Sequence, residues 1–398
     1  MTNKAFTTKD YKGREFQYKV SNGNPEIKHG LKTPDKFYKY YGDSEFKRDS
    51  ILADIPKLYF SHSYQFNDCV DSSHLIWNME NLDFEFYKKL LKNCHLQVHL
   101  KSLFNTDLIN DFIEYKTILS KNLYPFNYNK QPDLETWVHL TQEEIFQKIK
   151  SQKFAHLRIF LNDYEGSRLG IFCLTNSFAN NLMWAHYTEE RGFCVEFDTQ
   201  KLLKDLKDKH DDGFTYFPIN YQKKIKQIDF QNNCFLKAKD NKLDLNIPYM
   251  YLYSVKDKTW HYENEWRLMI ENEKFGTPVH PIDSNYTETI NHQERSIEIE
   301  RDAINKIILG PYFFNTSVFS NIQYHNQKTF TGYFKNNCDA CNVMKALMSM
   351  KSNYNDMLYQ IERVVCDEQT IERKIAFKIE ILDIDEKKVE IKRIEILK

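Results

Sequence analysis

The stretch that most constrains the fold is residues 169–198, LGIFCLTNSFANNLMWAHYTEERGFCVEFD. An apolar run from Leu169 to Leu174 ends in polar residues. A short amphipathic piece follows, with Leu182, Met183, Trp184, His186 and Tyr187 close together. Gly192 breaks that pattern, and Phe193, Val195 and Phe197 then alternate with Cys194, Glu196 and Asp198. The pattern predicts strand, short helix, turn, strand. Its aromatic cluster reads either as core or as a pocket wall. Trp184 and Phe193 are expected to pack, and His186, Tyr187 and Glu196 to lie near a ligand.

The second dense block is Trp260-His261-Tyr262-Glu263-Asn264-Glu265-Trp266-Arg267-Leu268-Met269-Ile270. Read as a strand, it puts Glu263, Glu265, Arg267 and Met269 on one face, with the two carboxylates about 6–7 Å apart. Like charges so close are unfavourable unless a cation or a polar ligand lies between them. One reading is a solvated face with Arg267 paired to Glu265; the other is a pocket pair flanked by Trp260, His261 and Tyr262. A carboxylate in such a pocket can accept a hydrogen bond from a ribose hydroxyl and stabilise an oxocarbenium-like centre, as in glycoside cleavage. The spacing alone identifies no ligand.

The remainder of the chain frames these blocks. Residues 1–30 read as a polar N-terminal arm with one edge strand near 15–20. Phe37–Tyr41 and Lys57–Ser61 read as short strands, with an Asn/Asp-rich loop after the second. Residues 31–74 and 166–312 are expected to form an α+β core. Residues 75–165 show helical spacing broken by Pro125 and Pro132 and read as a helical insertion. Residues 200–209 read as a charged helix, 214–221 as a strand, 222–258 as mostly helical, and 296–310 as two short strands. The C-terminal part, 313–398, is expected to place helices at 313–325 and 338–361 before a β-hairpin from 372 onward.

Composition bounds the partners. The 398 residues carry 55 Lys+Arg against 56 Asp+Glu, a net charge of −1, so no global field favours nucleic acid or an anionic membrane. Hydrophobic content is 41%, yet 29 Phe and 25 Tyr can fill a large core. No apolar run approaches the roughly 20 residues of a membrane helix. The eight cysteines form no disulfide framework, and the first residues show no secretory signal, so a reduced bacterial cytoplasm is the expected setting. Cys338-Asp-Ala-Cys341 is a lone C-x-x-C without a second ligand pair, and no metal is expected. Phosphate-binding glycine motifs and the G-x-S-x-G elbow are missing from the sequence. Glu196, Asp198, Glu263 and Glu265 could together serve a metal-dependent nuclease, a third possibility.

Three blocks in order carry a resemblance: FYKYY (37–41) with LYFSHSYQFNDCVD (58–71), FCLTNSFANNLMWAHYTEERGFCVEFD (172–198), and WHYENEWRL (260–268) with IILGP (307–311). They resemble the bacterial domain-of-unknown-function family 2971. Cys69 and Val70 depart from its usual Pro-Phe, and Asn176-Ser177 from its Ser-Glu. The order of elements is also similar to the ADP-ribosyltransferase superfamily, although Tyr38, Lys39 and Tyr40 stand where that superfamily has Arg or His. That similarity implies a small split antiparallel sheet and NAD as the ligand, with Glu265 holding the nicotinamide ribose and Glu263 positioning an acceptor or water. Substrate contacts are expected from Tyr38, Lys39, Tyr40, Ser61, Asn67, Asp68, His186, Tyr187, Glu196, Trp260, Tyr262 and Arg267. The functions expected are therefore ADP-ribosyl transfer or NAD hydrolysis by a toxin or antiphage effector, or a non-catalytic nucleotide-sensing or protein-interaction module. A protein or nucleic-acid target and a homodimer are compatible partners.

Overall fold

The computed structural model describes residues 5–21, 24–42, 50–66, 71–72, 76–93, 142–151, 161, 167–236, 243–276, 290–315, 317–365 and 371–396. Asn67, Asp68 and most of the expected helical insertion lie outside the described residues.

The chain opens with an antiparallel meander of β1 (Ala5–Lys9), β2 (Glu15–Ser21) and β3 (Asn24–His29). This is a three-stranded unit where the sequence suggested an arm with one strand. The side chains of Phe16 and Tyr18 are fully buried and tie β2 into an aromatic core. Next come β4 (Lys36–Tyr41), β5 (Lys57–Tyr59) and β6 (Trp77–Asn78), then helices α1 (Phe84–Asn93) and α2 (Gln142–Ser151) from the insertion. The dense central block forms β7 (Leu169–Thr175), α3 (Asn181–Thr188) and β8 (Phe193–Asp198), followed by α4 (Thr199–His210). Asn180 and Asp198 start α3 and α4 by accepting from backbone N–H groups of the first turn.

Residues 222–258 are less helical than their sequence suggests. After β9 (Phe214–Pro218) they hold β10 (Asn220–Gln222), β11 (Ile228–Asp229), the single turn α5 (Phe230–Asn233), β12 (Phe235–Leu236), β13 (Leu243–Asp244), α6 (Asn246–Ser254) and β14 (Val255–Asp257). Then follow β15 (Glu265–Glu271), β16 (Ser296–Glu298) and β17 (Ile304–Leu309). The helix expected at 313–325 is absent: Phe319–Tyr324 is strand β18, antiparallel to β19 (Thr329–Phe334). Helix α7 spans Cys338–Tyr354 and stops well short of 361, because Leu358–Val365 alternates as β20. The expected hairpin forms as β21 (Ile371–Ile384) and β22 (Lys388–Glu395).

Among the described residues, one eleven-stranded mixed sheet dominates, in the order β18-β19-β22-β21-β20-β17-β8-β4-β7-β15-β9. The hairpin is thus continuous with the core and not an appendage, and the sheet is not small. The parallel pair β17–β20 makes it mixed. The sheet forks at one place. Along its whole length β4 pairs with β8, but it meets β7 only through Tyr38 and Thr175. Where β4 leaves, Ser61 takes the edge of β7 and exchanges two backbone hydrogen bonds with Ile171, both 2.9 Å. Alternation on β15 sends Trp266, Leu268 and Ile270 into one core and Met269 into the other. No described helix is long and apolar enough to cross a membrane.

Gly192 closes the turn between α3 and β8 against the end of β4. A Cβ there would lie 2.0 Å from the Tyr41 carbonyl oxygen, a backbone atom that cannot step aside without moving β4. Gly192→Ala should cost about 3 kcal/mol. Thermal unfolding checks it, and an unchanged Tm would show that β4 yields there.

Candidate functional site

A cleft opens in the fork. It spans about 1040 Å³ including its solvent-open mouth. One wall is β4 with Tyr38, Lys39 and Tyr40; the other is β7 with Ile171, Cys173 and Thr175. Tyr59 and Ser61 form one end, and Tyr187, Trp260, Glu263 and Glu265 the other.

The two carboxylates arrive by different routes. Residues 258–263 form a 3-10 turn, and Asn264 caps it in the left-handed region at φ 44°. Only Glu265 belongs to the strand. The expectation of two glutamates on one strand face is thus corrected, because the turn and the Asn264 reversal replace the first half of that strand. Convergence comes instead from Lys256 on the adjoining β14. Its ammonium lies 2.7 Å from Glu263 Oε2 and 3.1 Å from Glu265 Oε2, and 3.4 Å from Asp71 Oδ2.

Arg267 completes the cluster from beneath. Its Nε donates to Glu265 Oε1 at 2.7 Å and its Nη2 to Asp71 Oδ2 at 2.5 Å. Its Nη1 reaches the Tyr253 carbonyl and the Ser72 hydroxyl. The Arg267–Glu265 pair is therefore present but buried, since Arg267 is 0% exposed, and no solvated face exists there. Arg267 supports the wall and does not line the cleft.

Three carboxylates against two cations leave this buried cluster with one unmatched negative charge. The consequence differs between the glutamates. Burial opposes ionisation of Glu265, but Arg267 and Lys256 override it and hold the carboxyl well below its usual range. Burial, reinforced by the Glu265 charge, pushes Glu263 up to about 7 despite Lys256 and the Tyr187 hydroxyl. Tyr187 donates to Glu263 Oε1 at 2.5 Å. Lys256 stays charged, because the three carboxylates outweigh its burial. Burial and the Glu265 charge push the Cys173 thiol up, so it is no nucleophile at neutral pH.

The other residues read from sequence sort clearly. Tyr38, Lys39, Tyr40, Ser61, Tyr187 and Trp260 line the cleft with Glu263 and Glu265. His186 and Tyr262 bond to each other at 2.9 Å outside its lining. Glu196 is turned away and held by the Tyr38 hydroxyl at 3.1 Å and by Lys306 at 3.1 Å. Asp198 caps α4, so Glu196 and Asp198 do not join the glutamates as a nuclease metal site would require. Trp184 and Phe193 are buried as expected. Sequence reading missed Lys256, Asp71 and Tyr59. For Lys256 the available signal was that two adjacent glutamates facing one pocket call for a cation between them; nothing local marked Asp71 or Tyr59.

Fold and site together define a mixed α/β protein whose sheet forks around a cleft bearing paired carboxylates. Residues 183–268, which run from α3 to β15, match a family described as Protein of unknown function (DUF2971). No curated protein and no solved structure matches the chain.

Two predictions follow from the cluster. Glu263 holds its proton in the folded state up to about pH 7, against 4.5 for the ordinary side chain. The folded state therefore binds the extra proton, and stability present below pH 4.5 is lost as pH rises towards 7, by an amount on the order of 3 kcal/mol. Glu263→Gln should flatten the fall in Tm between pH 5 and pH 8; an unaltered slope would refute the assignment. Arg267→Met leaves Asp71 and Glu265 without their guanidinium and should cost about 3–5 kcal/mol in denaturant unfolding.

Proposed function

We propose that the cleft binds a nicotinamide dinucleotide as substrate and cleaves its N-glycosidic bond, passing ADP-ribose to water or to an acceptor. The observation that carries this reading is the pair Glu263 and Glu265, bridged by one lysine at the cleft edge, with Glu265 held below the usual carboxylate range and Glu263 raised towards neutrality. Glycoside cleavage uses two such carboxyl groups in distinct roles.

The residues present suit the ligand. Tyr38, Tyr40, Tyr187 and Trp260 give the cleft an aromatic lining, which suits planar bases. Lys39 lines the cleft with no ion pair among the described residues; its ammonium lies 5.2 Å from the Phe172 ring centroid, and in this reading it turns to a pyrophosphate. Glu265, ionised, accepts from the ribose hydroxyls and stabilises positive charge developing at C1′. The C1′–nitrogen bond breaks with its electron pair going to the ring, and nicotinamide leaves neutral. The incoming oxygen then bonds to C1′. Glu263, titrating near neutrality, takes the proton from that oxygen. An enzyme of this kind would act in its cell as a toxin or antiphage effector, by consuming NAD⁺ or by modifying a target.

A second reading has its own support. Both oxygens of Glu265 are already occupied by Arg267 and Lys256, which suits a nucleotide sensor without turnover. One experiment separates the two. Incubation with NAD⁺ followed by mass analysis should show nicotinamide release, reduced about 100-fold or more by Glu265→Gln. Retained intact dinucleotide in a native mass spectrum would support sensing. Neither release nor retention overturns both.

A further inference from the structure

The C-terminal strands hold helix α3 through a buried side chain. Arg373 on β21 is 4% exposed. Its Nε donates to Asn181 Oδ1 at 2.5 Å, and its Nη2 to Glu190 Oε1 at 2.7 Å. Asn181 is the first residue of α3, and Glu190 lies two residues past its last. A single guanidinium therefore spans both ends of the helix. The contact is reinforced by packing: Ile361 of β20 and Ile375 of β21 join Met183, Trp184 and Tyr187 in one apolar cluster.

Helix α3 in turn meets the carboxylate turn at three points. Asn180 donates from Nδ2 to the Tyr262 carbonyl at 2.5 Å, His186 bonds the Tyr262 hydroxyl, and Tyr187 donates to Glu263. Helix α3 has only eight residues, too few to hold itself in water, so its position depends on tertiary contacts.

We propose that Arg373 is a positioning residue for the cleft: by bridging Asn181 and Glu190 it fixes α3 so that the Tyr187 hydroxyl meets Glu263. The C-terminal strands then act as a support on which the carboxylate pair depends, although none of their residues lines the cleft. The proposal builds on the reading that Glu263 serves the chemistry, but its test has an arm that needs no turnover.

The titratable groups around Glu263 are Lys256 from β14, Tyr187 from α3, Glu265 from β15, Tyr221 from β10 and Tyr262 from its own turn. Helix α3, which Arg373 holds, touches Glu263 directly through Tyr187. The Tyr187 hydrogen bond favours the ionised carboxyl, so losing it holds the proton on Glu263 to higher pH. Arg373→Gln should therefore extend the fall of Tm with pH upward by roughly half a unit or more, and Tyr187→Phe should do the same. The extension should vanish in a Glu263→Gln background and be partly reversed in Arg373→Lys. Glu190→Gln, a milder change, gives the same readout in smaller measure should Arg373→Gln fail to fold. In nicotinamide release, the limb of the kcat profile on the acid side of neutrality should move with it, while KM changes less than about threefold. A uniform drop in Tm at all pH values, with the slope unmoved in every variant, overturns the proposal. A shifted slope without any NAD⁺ cleavage leaves Arg373 in its role and removes the enzymatic reading instead.

Discussion

The interaction on which the site depends is the burial of Arg267. Its guanidinium joins three separate parts of the chain: the strand that carries it, the turn at Asp71 and Ser72, and the last turn of α6 through the Tyr253 carbonyl. A fully buried guanidinium is tolerable only when its donors are met. Those partners therefore have to be where they are, and they bring Glu265 and Lys256 with them. The Phe66 ring against the guanidinium face closes the remaining side.

The cleft itself is a consequence of strand pairing. A continuous β4–β7 ladder would leave no space between them, and side chains of both would pack as elsewhere in the sheet. The ladder instead has a single pair, Tyr38 with Thr175. Ser61 then supplies the hydrogen bonds that β7 would otherwise lose. Backbone groups stay satisfied on the β7 side while the sheet opens. The aromatic residues of β4 consequently serve two purposes: Phe37 and Tyr41 fill one core, while Tyr38 and Tyr40 face α3 and the cleft.

What could be read from sequence follows from what is local. The strand–helix–turn–strand order of residues 169–198 was legible because β7 is apolar throughout, Asn180 caps α3, and β8 alternates. The hairpin at the C-terminus was legible from its period of two. The fork was not, since no residue marks the place where two strands separated by well over a hundred positions stop pairing. Residues 313–325 misled because the apolar residues around Phe319 can satisfy either period over so short a length; pairing with β19 decides for strand. Glu263 was assigned to a strand because the left-handed Asn264 gives only a weak signal on its own, although asparagine is among the residues that tolerate that region. The partners of the two glutamates were hidden for a further reason. Asp71 and Lys256 are each ordinary in their sequence surroundings and acquire meaning only through a charge balance that is three-dimensional.

That balance bears on why the wall is built from charges at all. A cluster of five ionisable side chains is not the most stable way to fill such a space, because apolar residues of similar volume commonly do as well or better. Nor is the cluster neutral: with Arg267 and Lys256 against Asp71, Glu263 and Glu265, one carboxyl must keep its proton or carry an uncompensated charge. Asp71 and Glu265 each bond directly to the guanidinium, so the deficit falls on Glu263, which has only Lys256 and a tyrosine hydroxyl. Glu263 also lines the cleft. The fold thus sets a carboxyl raised above its usual range on the lining of the cleft, a position from which it can exchange a proton with a bound ligand.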